Sequence, residues 1–228
     1  MRRLCVIFAA FLLSGSAAAA AAPLVYVSNT STVLTDAQIQ DALPAFQAAV
    51  TLDFAPAWNA PAQLVFGPAP AGAWTIAVSD DSDVYGALGY HDVQGSSPIA
   101  KVFARTDIDN GYSWQVTLTH ELFEMLADPY TDRTVPVGAR SFYMLEVGDP
   151  VEADELAYTR PSATGLPVLV SDFVLPNWFR PHSAWPYDFQ HQVRRPLKIL
   201  AGGYQSVWRD GFWTQLFGPG WRPPQPRP

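Results

Sequence analysis

Apolar residues fall into short runs through the first half of the chain, and one long segment has helical spacing. LVYVSNTS (24–31) reads as a first strand. Thr35 and Gln38 then form a capping box. Behind it, DAQIQDALPAFQAAVTLDF places Ile39, Leu43, Phe46 and Val50 on one helical face, with Pro44 expected to kink it. AQLVFG (62–67) and AWTIAVSD (73–80) have strand character, and ALGYHDVQGSSPIAKVFART reads as strand, turn, strand. SWQVTLTHELFEMLADP is a second helix, stopped by Pro129. SFYMLEVGDPVEADELAY begins as a strand and becomes an acidic loop. Further on, LPNWFRPHSAWPYDF reads as a packed irregular loop and GGYQSVWRDGFWTQLF as a terminal strand pair. Without repeats or a dividing linker, this order predicts one α+β domain over 21–217, with a mixed sheet, an N-terminal helix and a later site-bearing helix.

Both ends differ in character from that domain. Arg2 and Arg3, the apolar LCVIFAAFLLSG and the small-residue SAAAAAA have the layout of a signal peptide, with cleavage expected near Ala20. The sequence therefore predicts an exported protein, periplasmic or secreted, without a stable membrane anchor. GPGWRPPQPRP (218–228) reads as a Pro-rich flexible tail. Cys5 is the sole cysteine and leaves with the signal, so the core or a metal must hold the fold. Eight Trp, nine Tyr and thirteen Phe can supply large buried surfaces for it.

Charge changes the picture. Without Arg2 and Arg3 the chain has 12 basic residues against 21 acidic ones, which disfavours nucleic acid and anionic membranes as partners. The five glutamates, Glu121, Glu124, Glu146, Glu152 and Glu155, all lie within one stretch of 35 residues. Glutamate that served only solubility would be scattered, so the clustering points to chemistry.

The centre of that stretch is THELFEMLADP. Helical residues turn by about 100° each, so His120 and Glu124 lie one turn apart on one face and can grip one ion. Glu121, rotated by about 100° from His120, stands where H-E-x-x-H enzymes keep the general base for a metal-bound water. Here Glu124 replaces the second His. Zinc accepts a carboxylate, but a His and two carboxylates neutralise Zn²⁺ and weaken it as a Lewis acid. Manganese, magnesium and calcium come within range of such a donor set. Composition alone gives about 0.002 occurrences of H-E-x-x-E in such a chain. The bland reading is a solvated helix face. Glu146 and Asp149 are the candidates for a further ligand, with Glu152, Asp154 and Glu155 in reserve. An acidic surface loop or a calcium loop is the alternative for 146–155. Asp128 lies ~12 Å further along the axis, too far for direct ligation.

HELFEMLADP followed by EVGDP resembles the H-E-x-x-E-x-x-x-D-P and E-[IV]-x-D pair of a group of zincin-like bacterial and phage-associated proteins. The resemblance covers 117–152 well and 24–160 loosely. It implies a helix, a mixed sheet with an edge strand above the cleft, then the active-site helix. It also implies a metal held by His120 and Glu124 and completed by Glu146 or Asp149, with Glu121 as base. Glu124 is the departure from true H-E-x-x-H proteases.

Other features carry less. His91 reads as a surface-turn histidine, although it could orient substrate. His182, His191, Tyr143 or Tyr158 could stabilise an oxyanion. No G-x-S-x-G or Gly-rich phosphate loop is present, and the exported chain has no thiol. The resulting expectation is a metal-dependent hydrolase acting on peptide or protein substrates. The alternatives are a non-catalytic zincin-like binding module with a structural or degenerate metal site, and an envelope-associated or phage-derived interaction protein. Intact-mass measurement on exported protein should give a chain starting near residue 21; a mass retaining Met1 to Ala20 contradicts the signal-peptide reading.

Overall fold

The computed structural model describes residues 22–220. The expected signal peptide (1–20) and the tail from residue 221 lie outside them. A mixed five-stranded sheet carries the expected first half. Its strands are β1 (Leu24–Asn29), β2 (Gln63–Phe66), β3 (Trp74–Ser79), β4 (Gly89–Gln94) and β5 (Ser97–Phe103), in the order β2-β1-β3-β5-β4. The pairs β1–β2, β1–β3 and β3–β5 are parallel, and β4 runs antiparallel to β5 at the edge. Val25, Val27, Ile76, Val78, Ala100 and Val102 are fully buried at alternate positions, as the pleat requires.

The first helix, α1 (Asp36–Ala48), begins with the expected capping box: the Gln38 amide donates to Thr35 Oγ1, and the Thr35 amide donates to Gln38 Oε1. Ile39, Phe46 and Val50 are fully buried, while Leu43 is partly covered. Pro44 sits within α1 on its exposed side. The interruption comes later, as a π-helical segment at Ala49–Phe54 that runs into the short α2 (Ala55–Trp58). Pro56 has no N–H to close an ordinary α turn there.

Two helices follow β5: α3 (Ala104–Asn110), where the sequence suggested a continued strand, and α4 (Trp114–Ala127), the expected site helix. Every α4 residue from Val116 to Ala127 is buried. The helix packs against β4 and β5 and meets α1 through Phe46 and Trp114, whose rings lie 6.1 Å apart. Phe123 stacks on Phe54 at 4.6 Å and meets Phe173 edge-on at 5.1 Å. The helix ends at Ala127. Asp128 then accepts the backbone N–H groups of Asp132 and Arg133, which turns the chain into β6 (Thr134–Gly138).

The remaining strands form smaller sheets. β6, β7 (Ser141–Met144), β10 (Tyr204–Arg209) and β11 (Phe212–Phe217) make an antiparallel sheet in the order β11-β10-β7-β6. β8 (Tyr158–Pro161) and β9 (Pro167–Val170) form a hairpin not expected from the sequence. Between β9 and β10 the chain is irregular but packed, with Trp178 and Phe173 fully buried. One core of buried residues extends from Val25 to Val207. No helix among the described residues is long and apolar enough to cross a membrane.

Phe123 joins α4 to two other segments through ring contacts. Its truncation removes a buried ring and leaves a cavity. Phe123→Ala should lower unfolding free energy by about 3–5 kcal/mol in urea titrations; a loss under about 1 kcal/mol would mean that these contacts do not hold α4 in place.

Candidate metal centre

The two helical residues expected to share an ion do face each other. His120 Nε2 lies 3.3 Å from Glu124 Oε2, one turn along α4. Asp149 Oδ1 approaches the same nitrogen at 3.4 Å, so of the two candidates for a further ligand it is Asp149 that reaches His120. Good N–H···O hydrogen bonds are shorter, about 2.7–3.2 Å. Two donors about 2.05 Å from a tetrahedral ion stand about 3.3 Å apart. Both separations are compatible with donors that share one ion.

Backbone geometry brings Asp149 in. A 3-10 turn at Asp149–Val151 follows Gly148. A Cβ at Gly148 would sit 2.5 Å from His120 Nδ1 and 2.7 Å from its Cε1, so only glycine lets the chain pass beside the ring. The amides of Gly148 and Asp149 both donate to Glu124 Oε1, at 3.0 and 3.2 Å. These bonds leave Oε2 for the site. The Gly-Asp pair of EVGDP thus clamps one Glu124 oxygen while delivering a carboxylate.

Glu146 lies elsewhere. Its Oε2 is 3.6 Å from His91 Nε2. This corrects the reading of His91 as a surface-turn residue. His91 is in β4, opposite Ala100, with a side chain 5 % exposed. Its Nδ1 stands 3.5 Å from Glu124 Oε2 and 3.7 Å from Glu121 Oε2. Gly89, two residues earlier on the strand, makes room for this approach, since a Cβ there would lie 2.9 Å from Glu121 Cγ. His91 Nε2 and Glu146 Oε2 are buried without a hydrogen-bond partner.

Among the described residues, two sets of potential ligand atoms lie within 4.8 Å of one another: His91, Glu121 and Glu124, and His120, Asp149 and Glu152. Glu124 links them, because its Oε2 faces both imidazoles. Glu152, held in reserve by the sequence, therefore stands in the His120 group, whereas Glu146 does not.

The electrostatics express crowding of like charge. Burial raises the pKa of Glu121, and burial with the Glu124 charge raises that of Glu146 well above the carboxylate range. Burial and Glu124 push Asp149 up to about 7. Burial opposes ionisation of Glu124 too, but His120 and His91 hold its pKa below the usual range. For both imidazoles burial favours the neutral form, yet the surrounding carboxylates hold their pKa values well above the ordinary one. A divalent cation would relieve the same excess of negative charge.

The site opens into a cleft of about 1060 Å³, lined in part by Tyr85, Tyr112, His120, Glu121, Glu152 and Tyr204. Tyr204, at the start of β10, hydrogen-bonds to Asp149 and stays a neutral phenol through burial. Its part in the site depends on folding together two distant segments. The tyrosines considered from sequence are engaged elsewhere: Tyr158 donates to Asp53 at 2.9 Å and Tyr143 packs against Trp178. His182 is exposed, and exposed His191 meets Trp185 edge-on. Asp154 accepts the Ser113 amide at the start of α4.

Comparison of the chain with protein-family profiles, characterised proteins and solved structures gives no match. The chemistry of the site therefore rests on its geometry.

The directions of these shifts give a sign for the pH response of the metal-free protein. Asp149, Glu121 and Glu146 have raised folded-state values, so stability is lost as pH rises from about 4 through those values. His91 and His120 are also raised; their contribution is complete below about 6.5 and is lost as pH passes the folded values. The signs agree above pH 5. The melting temperature of chelator-treated protein should fall between pH 5 and 8. The increment produced by zinc should grow across that range, because ligation requires deprotonated donors. A metal-free melting temperature that climbs over this interval contradicts the assignment.

Proposed function

We propose that the chain is an exported metal-dependent hydrolase of zincin-like type, acting on peptide bonds. The observation that carries this reading is the convergence of Glu124 and Asp149 on His120 Nε2, at 3.3 and 3.4 Å, beside Glu121 and an open cleft. His120, Glu124 and Asp149 would hold the ion, with Glu152 in reach. Zinc fits the mixed nitrogen and oxygen donors, and manganese is the alternative. The bound cation would supply Lewis-acid polarisation of the scissile carbonyl.

The chain's own groups account for the proton transfers. Glu121 lines the cleft and its raised pKa suits a general base at neutral pH. It would take the proton of the attacking water and pass it to the leaving amine. His91, 3.7 Å from Glu121 Oε2, would orient that carboxylate. Tyr204, a neutral O–H at the cleft wall, stands beside Asp149 and would keep that ligand in place. Among the described residues, edge strand β4 pairs in its sheet with β5 alone, so its other side can take an extended peptide.

A second reading is a binding module with a structural cation. It is favoured by the engagement of Glu121, a residue only 6 % exposed, with His91. Substitution separates the two. Glu121→Gln should keep the ion held at His120 and reduce hydrolysis of a mixed peptide library by ~10²–10⁴-fold. His120→Ala should lose the ion held at His120 and part of the melting temperature together. Equal inactivity of the metal-loaded wild type and Glu121→Gln across the library would favour the module.

A further inference from the structure

We propose that His91 Nδ1, Glu121 and Glu124 form a second divalent-cation site adjoining the one at His120, with Glu146 as the carboxylate that orients the His91 ring. The ligand atoms are mutually within 4.8 Å, and His91 Nδ1 faces Glu124 Oε2 at 3.5 Å and Glu121 Oε2 at 3.7 Å. These separations are too long for good hydrogen bonds and suit donors gathered around an ion.

The other side of the ring supplies the independent observation. His91 Nε2 is buried without a hydrogen-bond partner, and so is Glu146 Oε2, which faces it at 3.6 Å. A metal-bound histidine commonly donates its remaining N–H to a carboxylate, which fixes the tautomer and the ring orientation. With an ion on Nδ1, Nε2 must carry the proton, and Glu146 is the acceptor in line for it. This gives Glu146 a role that its distance from His120 does not.

Charge points the same way. Glu121, Glu124, Glu146 and Asp149 bring four carboxylates into one largely buried volume, with two imidazoles among them. One divalent ion at His120 offsets two of those charges, and a second offsets the others. Glu124 joins both sites, as its Oε2 lies 3.3 Å from His120 Nε2 and 3.5 Å from His91 Nδ1. The donor set of one imidazole and two carboxylates suits zinc or manganese. This site does not depend on the hydrolase reading. Where the chain hydrolyses peptides, an ion on Glu121 would occupy its proton-accepting oxygen, so turnover would rise with the first metal equivalent and fall with the second.

The test is zinc stoichiometry on the full chain, stripped with chelator and titrated calorimetrically, with metal content measured after gel filtration. Wild type should bind two ions. His91→Phe, checked for folding by circular dichroism, should bind one, and His120→Ala should also keep one. Glu146→Gln should retain two sites with the weaker affinity lowered by about 10–100-fold, as expected for an orienting partner. Cadmium NMR of the wild type gives a readout without substitution, and two resonances are expected. Saturation at one ion that His120→Ala abolishes and folded His91→Phe retains would overturn the second site and leave the first standing. Saturation at one ion that only His91→Phe abolishes would leave the His91 site and remove the His120 site. A single cadmium resonance at saturating metal would likewise overturn the pair.

Discussion

Burying several carboxylates in one place is costly unless cations or hydrogen bonds compensate. That constraint organises the centre of this protein, where Glu121, Glu124, Glu146 and Asp149 gather around His91 and His120. Only Glu124 has strong compensation from the chain itself, through two backbone amides and two imidazoles. Its neighbours are pushed toward their neutral forms instead. A cation completing the cluster would offset the remaining charge.

The surrounding architecture serves this arrangement. α4 is buried along nearly its whole length, so its polar residues face one another and the cleft rather than open solvent. The parallel strands place β5 and then β4 beside it, so an edge-strand histidine reaches a helix ~30 residues further on. Close passages through Gly89 and Gly148 bring the strand and the loop against α4 where any larger residue would collide. The motif Asp128-Pro129 after the helix does different work: Asp128 collects two backbone amides and reverses the chain, so that β7 can lead Glu146 and Asp149 back to the helix.

Local features of the site were legible in the sequence. The four-residue interval from His120 to Glu124 carries its own geometry, as does the capping box of Thr35 and Gln38. The choice between Glu146 and Asp149 was not legible, because it depends on the turn at Gly148, which points one carboxylate to His120 and the other to His91. The place of His91 was hidden for a related reason: strand register and the side of the sheet covered by α4 decide whether it faces solvent. A small residue two positions before it, Gly89, was the available signal. Tyr204 could be assigned only once β10 was brought beside the Asp149 turn. The π-helical segment was missed because it continues the helical run of α1, and the β8–β9 hairpin because each strand is only four residues long and carries a proline, Pro161 or Pro167.

The central claim is that His120 and its carboxylate neighbours hold a metal. Anomalous scattering at the zinc edge, from crystals of zinc-loaded protein, tests it most directly. A strong peak is expected about 2.0–2.2 Å from His120 Nε2 and from an oxygen of Asp149. A zinc-saturated crystal with no peak in coordinating reach of His120 would contradict it.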